Sequence, residues 1–74
     1  MSLRTVIIDD SAQITKLEYD TVTSNLVVTF RNGDKWKYYG VSKLKFAALV
    51  VADSVGSYFA KNIRNDYTSS KIGR

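Results

Sequence analysis

The chain has 74 residues, a net charge of +4, and neither cysteine nor histidine. This length fits one domain. The absence of cysteine and histidine excludes disulfides, thiol nucleophiles, Cys/His zinc sites and the usual general base. We therefore expect neither an enzyme nor a cofactor or metal site. Because the longest apolar run, 46–52, is far too short to cross a bilayer and the first residues lack a signal-peptide pattern, we expect a cytoplasmic protein without membrane contact.

The charged residues are unevenly distributed along the chain. Residues 1–34 contain three cations and five anions, whereas residues 35–74 contain eight cations and two anions. Such an imbalance favours a polyanionic partner. Solubility alone is the competing explanation for a moderate positive charge.

The first third of the chain predicts a strand and a turn. Residues 1–10 have no clear period, so this segment is either an edge strand or an arm packed over the core. A strand is predicted from Ile14 to Tyr19, and turn-forming residues over 20–25 connect it to a second strand that begins at Leu26.

The residues Arg31-Asn32-Gly33 predict the turn of a hairpin between the second and third strands. A two-residue Asn-Gly turn would pair Phe30 with Lys35 and mix core and solvent residues on each face. A three-residue loop with Gly33 in the left-handed conformation instead pairs Val28 with Trp36.

This three-residue loop sorts the hairpin into two faces. The apolar face is predicted to join the core and consists of Leu26, Val28, Trp36 and Tyr38. The opposite face is predicted to be wet and consists of Val27, Thr29, Lys35, Lys37 and Tyr39.

Two helices follow the hairpin. Ser42 predicts the N-cap of a helix over 43–52, and Asp53 or Ser54 that of a shorter helix ending near Arg64. Apolar residues at helical spacing predict a core-facing stripe on the first helix: Leu44, Ala47, Ala48 and Val51, widened by Phe46, Leu49 and Val50.

The predicted fold is therefore α+β, a three-stranded antiparallel meander (β-β-β-α-α) with two helices packed on one face. Residues 1–10 form an arm or edge strand in this scheme, and residues 11–67 form the domain. Residues 68–74 lack any period and are expected to be a mobile basic tail.

Motifs over residues 6–67 resemble the KTSC domain family. The residues that carry the resemblance are Ser11, Ile14, Tyr19, Asp20, Leu26, Val28, Phe30, Trp36-Lys37-Tyr38, Gly40-Val41-Ser42, Phe46, Leu49, Ala52, Ser54, Gly56, Tyr58-Phe59, Ile63-Arg64 and Tyr67. That family occurs at the C-terminus of some lysyl-tRNA synthetases and as a stand-alone bacterial or phage-type protein, and RNA binding has been proposed for it. Two residues depart from its pattern: Ser42 replaces a proline, and Ala60 replaces an asparagine whose hydrogen bonds a methyl group cannot make.

Eight residues form the candidate nucleic-acid-binding set: Arg31, Lys35, Lys37, Tyr39, Lys43, Lys45, Lys61 and Arg64. Cations and one aromatic ring on a solvent-facing sheet surface are typical of single-stranded RNA binding. The N-termini of the two helices favour the binding of anions. Plain solvation of the lysines is the alternative. For Arg64 the alternatives are an ion pair with Asp53 or Asp66 and hydrogen bonds to carbonyls at the helix end.

We therefore expect a non-catalytic binding module whose partner is RNA or another polyanion. The alternative is a protein-protein interaction module of a bacterial or phage accessory protein, docking through Val27, Tyr39 and the second helix. Both a monomer and a weak homodimer that pairs through a free edge strand are compatible with the sequence.

Overall fold

A five-stranded antiparallel sheet with two helices on one face forms the fold. The computed structural model describes residues 3–9, 11 and 13–73. The strands are β1 (Leu3–Ile7), β2 (Ile14–Asp20), β3 (Asn25–Phe30), β4 (Lys35–Tyr38) and β5 (Ser69–Gly73), and the helices are α1 (Lys43–Val51) and α2 (Val55–Asn62). Within the described ranges, neither helix combines the length and apolar character that a bilayer crossing requires.

The strands lie side by side in chain order, and each runs antiparallel to its neighbours. The chain leaves the sheet after β4, forms α1 and α2 over one face, and returns as β5 beside β4. As a result β4 is an interior strand, paired with β3 on one edge and β5 on the other.

The sheet has two more strands than the sequence predicted, whereas the α+β class, the central meander and the two helices are confirmed. The first segment resolves as the edge strand β1, in which Thr5 lies opposite Glu18. The expected tail over 68–74 is wrong as a description of this segment, because Ser69–Gly73 form β5 and Ser70 lies opposite Lys37. The parts of these predictions that fall on residues 1, 2, 10, 12 and 74 lie outside the described residues.

The hairpin between β3 and β4 has the predicted three-residue loop. The Phe30 amide donates to the Asp34 carbonyl at 2.9 Å, and the Gly33 amide donates to the Phe30 carbonyl at 2.9 Å. Gly33 has a φ of 97°. Residues with a Cβ atom rarely adopt such a positive φ, whereas glycine does so without steric cost. Val28 therefore pairs with Trp36, and the core-facing parity of the hairpin is confirmed.

Helix α1 buries a narrower stripe than the sequence predicted. Ser42 caps it as expected, since its Oγ accepts from the Lys45 amide at 3.1 Å. Phe46 and Leu49 are buried, but Leu44 and Val51 are 85% and 78% exposed. Apolar residues occupy so much of this helix that periodicity alone could not select the buried side.

Tyr19 connects β2 to the segment that leads into α1. Its ring stacks on Phe46 with 4.5 Å between ring centroids and 10° between the planes. Its hydroxyl donates a hydrogen bond to the Val41 carbonyl, and the two residues are 1% and 0% exposed. This buried contact fixes the start of α1 against the sheet.

We expect Tyr19→Phe to lower the free energy of unfolding by about 1–3 kcal/mol, because the Val41 carbonyl is left buried without its donor while the stacked ring is retained. Urea denaturation followed by circular dichroism measures this loss. Tyr39→Phe is the control, since Tyr39 is exposed, and its effect should stay within about 0.5 kcal/mol. Equal stability of Tyr19→Phe and wild type would contradict the assigned role.

The turn between β2 and β3 is held by the carboxylate of Asp20. Oδ1 accepts from the Val22 amide at 2.9 Å and from the Thr23 amide at 3.3 Å. The Val22 hydrogen bond is the main reason that the pKa of Asp20 lies below its ordinary value.

Because this pKa is lower in the folded chain than in the unfolded chain, the carboxylate stabilises the fold at neutral pH. That contribution is lost as the pH falls through the lowered pKa. We expect the difference in unfolding free energy between wild type and Asp20→Asn to shrink on acidification, as measured by denaturation at a series of pH values. A difference that stays constant down to acid pH would show that the carboxylate contributes nothing through its charge.

Candidate nucleic-acid interface

The sheet face turned away from the helices carries a basic strip on β4. Lys35 lies opposite Thr29 and Lys37 lies opposite Val27 on the neighbouring strand. The two lysines are two residues apart and therefore about 7 Å apart along the strand, on the same face. Tyr39 directly follows β4 and extends the strip.

Within residues 3–9, 11 and 13–73, no carboxylate forms an ion pair with the lysines of this strip. Among the described residues, the ion pairs join Lys16 Nζ to Glu18 Oε1 at 3.7 Å and Lys71 Nζ to Asp34 Oδ1 at 3.6 Å. Neither pair involves Lys35 or Lys37. Their ammonium groups are therefore available to an external anion.

A ring and a cation meet at the end of the strip. Lys37 Nζ lies 5.7 Å from the centroid of the Tyr39 ring, within the range of a cation–π interaction. Tyr39 is 38% exposed, and its amide donates to the Thr68 carbonyl at 2.9 Å. The backbone of this residue is thus anchored while part of its ring remains open for stacking.

The structure does not bring the other predicted cations to this face. Lys43 and Lys45 begin α1, Lys61 lies in the last turn of α2, and Arg64 follows α2, so all four belong to the helix layer. Arg31 lies in the hairpin loop and donates from Nη2 to the Ser11 carbonyl at 2.8 Å. Its guanidinium therefore ties the loop to the segment before β2.

Both helix N-termini are capped by serine side chains. The Ser42 cap of α1 has a counterpart in α2, where Ser54 Oγ accepts from the Ser57 amide at 3.3 Å. Ser54, and not Asp53, is the residue that fills this position. Each cap satisfies one of the free amides that an anion would otherwise contact.

A cleft on the helix side of the sheet was missed by the sequence analysis. Its volume is about 360 Å³. The residues that line it are Gln13, Phe30, Trp36, Tyr38, Phe59, Ala60, Arg64, Asn65 and Ser69. They come from segments that are far apart in the sequence, so no local spacing could reveal the cleft. Ala60, where the family pattern has asparagine, adds only a methyl group to its wall.

Tyr38 forms the buried part of this cleft. Its ring packs edge-to-face on Phe59 at 5.2 Å, and Phe59 packs in the same way against Phe30 at 5.7 Å. Tyr38 is only 4% exposed, as expected of a core residue, whereas Trp36 is half-buried. Burial raises the pKa of the Tyr38 phenol, and the positive charge of Arg64 opposes that shift.

Comparison with known proteins supports the sequence resemblance. The family model described as KTSC domain matches residues 10–67. The crystal structure of a KTSC domain protein from Yersinia pestis is similar to this structure, with a TM-score of 0.89 and 25% sequence identity. The similarity covers 97% of this chain and 100% of the Yersinia chain. No curated protein shows significant sequence similarity.

Proposed function

The chain belongs to the KTSC domain family. We propose that it is a non-catalytic module that binds single-stranded RNA on the outer face of its sheet. The observation that carries the proposal is the basic strip of Lys35, Lys37 and Tyr39. It combines two cations of β4 that have no carboxylate partner in the described part of the chain with a partly open ring directly after that strand.

Single-stranded RNA suits this strip better than a duplex does. Ammonium groups contact backbone phosphates, and an exposed tyrosine offers a surface on which an unpaired base stacks. A regular duplex keeps its bases stacked on each other, so it would use the lysines but not Tyr39. The proposed interaction tolerates many sequences, because every base has a flat face and every nucleotide has a phosphate. We place this activity in the cytoplasm.

A protein-interaction role is the second candidate, and one observation favours it. Leu44 and Val51 are 85% and 78% exposed on α1, and exposed apolar residues of this size mark contact surfaces more often than lysines do. This role predicts a partner whose binding resists salt and nuclease and is lost in Leu44→Ser with Val51→Ser. RNA binding on the sheet face predicts the opposite behaviour on all three points.

We expect Lys35→Glu with Lys37→Glu to weaken binding of a fluorescently labelled oligouridine by about tenfold at low salt, because two phosphate contacts become repulsive. The slope of log affinity against log salt concentration should become shallower by about 1.4, or about 0.7 for each lost contact on a single strand. Fluorescence anisotropy over a salt series measures both quantities.

The matched control is Lys45→Glu with Lys61→Glu, which makes the same change in net charge on the helix layer. Its affinity and salt slope should stay close to those of wild type. Equal weakening by the two double variants would show that net charge, and not the basic strip, governs binding. Absence of any salt-dependent binding in wild type would overturn the proposal itself.

A further inference from the structure

The cleft between α2 and the sheet contains polar groups that the fold leaves without partners. Tyr38 is 4% exposed and lines the cleft. Among the described residues its hydroxyl has no hydrogen-bond partner, and it is not one of the fully covered polar atoms. The hydroxyl therefore keeps access to the cleft, where it can donate a hydrogen bond to water or to a ligand.

Arg64 adds a charge to the same wall. No carboxylate pairs with it in the described part of the chain, so neither Asp53 nor Asp66 neutralises it. The guanidinium is close enough to Tyr38 to influence its phenol electrostatically. A phenol next to an unpaired guanidinium is suited to binding an oxyanion, because both groups can donate hydrogen bonds to it. A guanidinium can donate two parallel hydrogen bonds to the same anion.

Trp36 offers a flat ring to the same cleft. It lies two residues from Tyr38 on the same face of β4. It is half-buried and, within the described residues, stacks on no other ring. Gln13 and Asn65 bring side-chain amides, which both donate and accept hydrogen bonds as the edge of a nucleobase does. The volume of about 360 Å³ lies at the lower end of the range for small-ligand sites.

We propose that this cleft is a second binding site, separate from the basic strip, which takes one nucleoside monophosphate unit. The base lies against Trp36 with its edge toward the amides, and the phosphate accepts from Tyr38 and Arg64. The unit is either a free nucleotide or the phosphorylated end of an RNA strand. The site lies on the helix side of the sheet, so it does not depend on RNA binding by the outer face.

Trp36 provides the readout, because it is the only tryptophan of the chain. AMP should change its fluorescence in a saturable way, while adenosine and inorganic phosphate, each carrying half of the recognition, should bind at least about tenfold more weakly. An RNA oligonucleotide with a 5′-phosphate, compared with the same strand bearing a 5′-hydroxyl, distinguishes a strand end from a free nucleotide. A preference for the phosphorylated strand over AMP identifies the strand end, and the reverse identifies the free nucleotide.

Two variants test the assigned contacts. Arg64→Gln and Tyr38→Phe should each weaken AMP binding by about tenfold, since each removes donation to a charged oxygen. Arg64 is exposed, so its variant keeps the fold even if Tyr38→Phe does not. Arg4→Gln removes an exposed cation outside the cleft and should bind AMP like wild type.

Lys35→Glu with Lys37→Glu should also leave AMP binding unchanged, which separates a failure at this cleft from a failure of the proposed RNA face. The inference is overturned if AMP at millimolar concentration produces no saturable change. It is equally overturned if Arg64→Gln binds AMP as wild type does, or if adenosine binds as tightly as AMP.

Discussion

The three-residue loop that joins β3 to β4 is the constraint on which the rest of the structure depends. Gly33 adopts a positive φ that closes this loop with an odd number of residues. Because successive strand residues point to opposite faces, the parity of the loop decides which side chains of β4 reach the core. A loop shorter by one residue would set Val28 opposite Lys37 and bring an ammonium group into the apolar layer.

Strand β4 consequently serves both faces of the sheet. Lys35 and Lys37 point to the outer face, while Trp36 and Tyr38 point to the helix layer. Pairing with β3 and β5 on its two edges holds the strand in place and makes it a firm support for both sets of side chains. The outer face presents the two lysines together with the ring of Tyr39. The inner face presents the rings of Trp36 and Tyr38, with the Tyr38 hydroxyl as a hydrogen-bond donor near Arg64. Under the two proposals, the outer face takes the backbone of an RNA strand and the inner face takes a single nucleotide.

The sequence was most informative where the alternation of apolar and polar residues and the residues of the turn predicted the same strand register. The facing of Trp36 and Lys37 followed from parity, and the Ser42 cap followed from its position before an apolar run. For the first segment the sequence left an edge strand and an arm as alternatives, and strand β5 was not recognised, because most residues of both strands are exposed and carry no alternating pattern. The buried side of α1 was ambiguous for the opposite reason, an excess of apolar residues. The cleft stayed hidden because tertiary structure alone brings Gln13 next to Arg64.

The most direct test of this account is a nuclear Overhauser measurement of the contacts between β3 and β4 in isotopically labelled protein. The account predicts cross-strand contacts that join Val28 to Trp36 and Leu26 to Tyr38. Contacts that join Val28 to Lys37 and Phe30 to Lys35 would contradict it, because they would reverse the facing of every side chain on β4.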